Sequence, residues 1–272
     1  MPTYVTRVPA GLNWPGPQLS VGNRPRRFSP GCPAGKPWRR FCLGWRHSSK
    51  LAVAAPQGYD LIVQRLIPGY ASLARLAVAL LSTSPLASLP GAAVLVAGCG
   101  TGAELVEARS QRPDWQLSAI DPSAEMLDVA KARLGGEGIG WQQTTVEAMG
   151  VSDRFAGALS VLVLQSLPDD GTKLAFLSAL ARSLRPGGQL VLVDLMAPER
   201  SPLLGQVEAA WLGFQRASGL EASEAELAPF TQGLYPIGEA RLTALVEAAG
   251  FGDPARIFQA LNYEGFLLQR RA

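Results

Sequence analysis

The chain has 272 residues, 47% of them hydrophobic and 17% charged, with a formal net charge of +3. That length suits one large domain with a full core, or a domain plus appendages. No run approaches the roughly 18 apolar residues needed to cross a bilayer, and the longest candidate, Leu73 to Leu81, is interrupted by Arg75. Three cysteines, at 32, 42 and 99, show no C-x-x-C spacing and no accompanying His-Cys cluster, which argues against a disulfide framework or a metal site. A reducing cytoplasm is the expected location.

The first fifty residues stand apart. They hold nine Lys or Arg, no Asp or Glu, eight prolines and six glycines, with no helical or strand periodicity. Such a composition buries too little surface to offset its ordering entropy, and it lacks the apolar core of a secretory signal. Residues 1–50 therefore read as a disordered extension or a start assigned too far upstream. The remainder carries 16 basic and 22 acidic groups, a balance that disfavours a nucleic-acid partner.

Periodicity begins at Tyr59. Helices are expected at 59–67 and 70–81, broken by Pro68-Gly69, forming an N-terminal helical lid over residues 51–92. From 93 onward the elements alternate as in an α/β domain. Strands are expected at 93–97, 116–120, 139–143, 156–163 and 189–194, and helices at 102–111, 123–134 and 172–184. Arg185-Pro186-Gly187-Gly188 reads as a stop and turn before the fifth strand. A helical insertion at about 200–237 contains a helix at 203–218. A last helix at 238–249, closed by Gly250, leads to strands near 255–260 and 263–269.

Chemistry concentrates at residues 94–102, Val-Leu-Val-Ala-Gly-Cys-Gly-Thr-Gly, followed by Asp121 at the end of the next expected strand. A strand, a glycine turn, a helix and a strand ending in an acid form a layout for a ribose-bearing cofactor. Glycines at 98, 100 and 102 allow positive φ and close approach of the backbone, and a carboxylate can accept both hydroxyls of a ribose. The spacing is G-x-G-x-G; where a dinucleotide fingerprint has its third glycine, this chain has Ala103.

The G-C-G-T-G loop and the stretch Ile120-Asp121-Pro122-Ser123-Ala124-Glu125-Met126-Leu127 resemble the first two motifs of the class I S-adenosylmethionine-dependent methyltransferases. The resemblance implies their Rossmann-like α/β fold. That fold is a seven-stranded, mostly parallel sheet with an antiparallel terminal strand and helices on both faces. It also implies S-adenosyl-L-methionine as cofactor, held by Gly98, Cys99, Gly100, Gly102 and Asp121, with Pro122 and Met126 flanking the adenine. Thr145 and Val146 would meet the base, and Val161 to Gln165 would line the floor beneath the methyl group.

Local stretches also resemble the carboxy-S-adenosylmethionine synthase branch: Gln64 to Tyr70, Leu164-Gln165-Ser166-Leu167, and Phe258 to Tyr263. By that likeness Tyr70 is a lid residue at the cofactor, or else packs its helix onto the sheet. The branch's carboxylate-gripping arginine has no counterpart, because residues 217–240 contain no Lys or Arg and Leu227 falls about where it would be. Val161 replaces an asparagine of that branch. Two general motif acids are also replaced, by Val96 and Thr145. For Glu104 and Glu147 the sequence favours exposed carboxylates, with compensating roles near the cofactor's ammonium and the adenine edge as the alternative.

His47 is the only histidine, so a histidine base in the core is not expected. Trp211 and Phe214 share a helical face that suits a packing or homodimer surface, or an aromatic acceptor pocket. The expected function is methyl transfer to a small-molecule acceptor. A synthase-like enzyme and a non-catalytic adenosyl-binding protein are the alternatives.

Overall fold

The computed structural model describes residues 56–221 and 232–272. Leu227, Phe230, His47, Cys32 and Cys42, and the whole 1–50 extension, lie outside the described residues.

Two helices come first, α1 (Pro56–Leu66) and α2 (Tyr70–Ser82). The bend between them is made by Gly69, whose φ of 81° is open to a residue without Cβ. The α/β part follows as β1 (Ala93–Ala97), α3 (Ala103–Gln111), β2 (Gln116–Asp121), α4 (Ala124–Leu134), β3 (Ile139–Gln143), β4 (Phe155–Val161), α5 (Thr172–Ser183) and β5 (Leu184–Leu195). The described chain ends with α6 (Leu204–Ala217), α7 (Glu239–Ala249), β6 (Ala255–Ala260) and β7 (Tyr263–Gln269). The strands form one sheet in the order β3-β2-β1-β4-β5-β7-β6. β1 to β5 pair in parallel, and β7 runs antiparallel between β5 and β6.

Local sequence explains the helix ends. The Ser123 hydroxyl accepts the Met126 N–H (3.2 Å) at the start of α4, Glu125 sits in its first turn, and Lys131 and Arg133 in its last, each sign matching the helix dipole. α7 stops at Gly250, where φ reaches 98° and the Phe251 N–H returns to the Val246 carbonyl (2.9 Å).

The central strands are buried on both faces, as a parallel sheet sandwiched by helices must be. Alternate residues serve opposite cores. Leu95 and Ala97 of β1 pack with Phe176, Leu177 and Leu180 of α5 and with Leu242 and Val246 of α7. Val94 and Val96 pack with Leu73, Ala77 and Leu81 of α2 and with Leu105 and Ala108 of α3. A third, smaller cluster joins Val63, Leu66 and Ile67 to Tyr263 and Trp211.

Two strand boundaries differ from expectation by more than one residue. The apolar run of β4 was expected to continue through Val163, but the strand ends at Val161 because Leu162 turns to φ 60° and Leu164–Ser166 form a 3₁₀ turn. Strand pairing of β5 begins at Leu184, opposite Phe155, before the Pro-Gly-Gly excursion, which is therefore a bulge within the strand's pairing.

Candidate functional site

In an open α/β sheet the crevice for a ligand lies beyond the carboxyl ends of the strands, where the strand order reverses. Here that point falls between β1 and β4. A cleft opens there, lined by Tyr59, Tyr70, Gly98, Cys99, Gly100, Thr101, Ala103, Glu104 and Val161.

The glycine loop is fixed from beneath. The Gly98 and Cys99 N–H groups both donate to the Ile120 carbonyl, at 2.9 and 3.0 Å. Gly98 has φ 67°, and a Cβ there would lie 2.4 Å from Val163 Cγ2. Gly100 has φ 49°, yet a Cβ on it would meet nothing within 4 Å. The first glycine thus makes room for protein, and the second leaves open space. A Cβ on Gly102, which has φ 86°, would press on Leu134 and Ala130 of α4.

Asp121 ends β2 and is 8% exposed. The Gly100 N–H donates to its Oδ2 and the Ser123 N–H to its Oδ1, both at 2.9 Å. Each oxygen keeps further acceptor capacity. Burial pushes the carboxyl above its ordinary range, while these two amides pull it back.

Glu104 is a correction to the sequence reading. It is buried, at 6% exposure, and it lines the cleft. Burial pushes its carboxyl up to about 7, with nearby Asp60 adding to the rise; its own backbone amide and Arg133 oppose it. Tyr59 of α1 and Tyr70 of α2 line the cleft beside it, and Asp60 of α1 reaches the loop. Asp60 accepts the Thr101 hydroxyl (2.5 Å) and the Arg133 guanidinium (2.8 Å). Tyr59 and Tyr70 both have phenols raised well above the usual range, chiefly by burial and then by the Glu104 charge. The Cys99 thiol is pushed up to about 12 by burial and by Asp121 and Glu104, which leaves it a packed, unreactive group.

The remaining expected residues divide. Tyr70, Gly98, Cys99, Gly100 and Val161 meet in the cleft. Pro122 and Thr145 are exposed and Met126 half-buried, at the ends of β2 and β3. Val146 is buried in the α5–α7 core. Gln165 is also buried, and its Oε1 accepts the Leu195 N–H (2.9 Å); its amide wires β4 to β5 and is not among the cleft-lining groups. Below it, Lys173 is fully buried and donates to the Leu164 carbonyl, while Asp194 Oδ1 accepts the Gln165 N–H (2.9 Å). Burial pushes Asp194 up to about 7 against the pull of the Gln165 amide and Lys173.

Trp211 of α6 donates its indole N–H to the Leu66 carbonyl (2.7 Å) and meets Tyr263 edge-on, with centroids 6.4 Å apart. This contact realises the packing alternative for the aromatic face. Sequence reasoning passed over Tyr59, Asp60 and Thr101, because their partners are distant in the chain and leave no local signal.

Fold and site together define a doubly wound α/β protein with a nucleoside-type cleft at its switch point. A methyltransferase-domain family model matches residues 94–188. The ubiquinone/menaquinone biosynthesis C-methyltransferase UbiE of Desulfotalea psychrophila is 31% identical over 198 residues, 66% of this chain and 71% of the relative. The carboxy-S-adenosyl-L-methionine synthase of Aeromonas salmonicida is 27% identical over 213 residues, 74% of this chain and 83% of the relative. Two other curated relatives are matched over only 40% and 48% of their own length. Among solved structures, the Burkholderia thailandensis 1,6-didemethyltoxoflavin-N1-methyltransferase with bound S-adenosylhomocysteine aligns with a TM-score of 0.51 at 21% identity, over 83% of this chain and 99% of that one. The chain belongs to the class I S-adenosyl-L-methionine-dependent methyltransferases, and its cofactor is accordingly S-adenosyl-L-methionine. Among the described residues no helix is long and apolar enough to cross a membrane.

Proposed function

We propose that the protein transfers the methyl group of S-adenosyl-L-methionine to a small, largely apolar acceptor. The observation that carries this reading is the charge of the cleft. Glu104 and Asp60 flank the glycine loop and Asp121 underlies it, so a cationic ligand is favoured and a pyrophosphate repelled. The open space above Gly100 fits a ligand approaching the backbone.

In this reading Asp121 takes the ribose hydroxyls, while Gly98 and Gly100 pass beneath the methionine portion. Pro122 and Met126 flank the adenine, with the Thr145 hydroxyl and the Val146 backbone at its edge, and Val161 lies beneath the methyl group. Tyr70 covers the cleft. When bound, the cofactor supplies a sulfonium methyl: its C–S bond breaks as the acceptor's lone pair forms the new bond, leaving a thioether and a proton to be released. The protein's part is alignment and exclusion of water. Tyr59, Tyr70 and Tyr263 are held protonated by burial, so none is suited to take that proton near neutrality. An acceptor already nucleophilic, such as a thiol, selenol, amine or enolate carbon, fits best.

A small acceptor is supported by the net acidity of residues 51–272 and by relatives named as methyltransferases of ubiquinone and menaquinone biosynthesis. The absence of Lys or Arg from residues 217–240 speaks against the synthase reaction, since an aliphatic chain cannot grip a carboxylate. The test is calorimetric titration with S-adenosylhomocysteine. Asp121→Ala removes two charge-assisted hydrogen bonds, each about 1.5–3 kcal/mol, so affinity should fall at least about 100-fold. Equal binding by both proteins refutes the assignment. Mass spectrometry of ligand retained on purification separates the reactions, a carboxylated cofactor favouring the synthase.

A further inference from the structure

We infer that Glu104 is the anion that receives the α-ammonium group of the cofactor's methionine portion, in a chain that has Val96, and no acid, two residues before Gly98. The inference rests on the cofactor reading above and names one of its unassigned contacts.

Glu104 lies in the first turn of α3, immediately behind the glycine loop, and lines the cleft with Gly98, Gly100 and Thr101. It is 6% exposed. Among the described residues no cation forms an ion pair with its carboxylate, and the hydrogen bond that steadies its charge comes from its own backbone amide. The nearby cation is already committed, because Arg133 donates to Asp60 at 2.8 Å. Asp60 is in turn satisfied by Arg133 and Thr101, and Asp121 by the Gly100 and Ser123 amides. Of the three carboxylates at the loop, Glu104 is the one whose buried charge is least answered by the protein.

A buried carboxylate left without a counter-charge costs several kcal/mol and is normally paired, hydrogen-bonded or neutralised. A metal does not explain it, because no group of three His, Cys, Asp or Glu among the described residues is placed to hold one. A phosphate would add to the repulsion. A primary ammonium carries one positive charge and three donors and answers both the charge and the open acceptor sites. The other charged or titratable groups facing the site are Tyr59, Asp60, Tyr70, Cys99, Asp121, Lys131 and Arg133. Of these, Lys131 and Arg133 belong to α4, and Arg133 is held by Asp60 at 2.8 Å.

The experiment is a two-ligand comparison by calorimetry. The ligands are S-adenosylhomocysteine and its deamino analogue, with hydrogen in place of the α-amino group. The native protein should prefer the amine-bearing ligand at least tenfold. Glu104→Gln should lose that preference to within about twofold while binding the deamino analogue as well as the native protein does. Asp121→Ala should weaken both ligands and keep the preference. A native preference that survives in Glu104→Gln overturns the inference and leaves the cofactor reading standing. Failure of the native protein to bind either ligand overturns both. Should Glu104→Gln not fold, Glu104→Asp replaces it: retracting the charge by one methylene should shrink the preference, and an undiminished preference overturns the assignment.

Discussion

Replacing Gly98 with alanine tests the geometry of the loop on which the site is built. Two costs add. A residue with Cβ at φ 67° loses about 1–2 kcal/mol to the left-handed conformation. Its Cβ would also stand 2.4 Å from Val163 Cγ2, with the next atoms at 3.6 Å, a clash that has to be relieved by displacing Val163 at a typical overpacking cost of about 1–3 kcal/mol. The sum is about 2–5 kcal/mol, so with an m-value near 2 kcal/mol/M the urea midpoint should fall by about 1–2.5 M. Unfolding is followed by tryptophan fluorescence, since Trp115, Trp141 and Trp211 lie in the described domain. Val163→Ala supplies the control, because it deletes the clashing methyl. In that background Gly98→Ala should cost only the backbone part, about 1–2 kcal/mol. If Gly98→Ala costs as much in the Val163→Ala background as in the native protein, the steric half of the reasoning is wrong.

Other predictions concern charge and packing. Asp194 has its carboxyl raised to about 7 by burial. The folded state therefore holds a proton that the unfolded chain releases near pH 4, and the group makes stability decline as pH rises from about 4 to 7. Asp194→Asn should flatten that part of the stability-pH curve relative to the native protein, and a parallel curve refutes the account. Glu104 predicts a pH-dependent affinity: its proton, bound below about 7, competes with an ammonium ligand. S-adenosylhomocysteine binding should weaken roughly tenfold per pH unit below that point in the native protein, and Glu104→Gln should not show this slope. Trp211→Phe removes the bond to the Leu66 carbonyl (2.7 Å), worth about 1 kcal/mol. Faster amide exchange in α1 should follow, with β1 unaffected; uniform loss of protection would point to global destabilisation instead.

Much of the fold is legible because its signals are local. Ser123 with Glu125 behind it announces α4, Gly250 ends α7, and the doubly buried β1 reads as a continuous aliphatic run. The Asp121–Gly100 contact spans 21 residues of sequence but falls within one strand-loop-helix-strand unit, so spacing alone exposes it. Glu104 defeats the same approach. The groups around it come from far up the chain: Tyr59 and Tyr70 line the same cleft, and Asp60 bonds to Thr101, 41 residues on, and Arg133, 73 residues on. Gln165 illustrates the converse. A polar residue after β4 invites a role in the site, yet its amide satisfies the Leu195 N–H inside the protein. Leu162 looks like strand to any apolar pattern, since a leucine gives no hint of the positive φ it adopts here.

The placement of α1 ties two distant parts of the fold together. Within eleven residues it is fastened on one flank to the glycine loop and α4, through Asp60, and on the other to α6 and the residues after it, through the Leu66 carbonyl and the Arg65 bond to Gly219 (2.8 Å). A strap pinned at both ends cannot lift from the glycine loop without straining the bonds that tie it to α6 and Gly219.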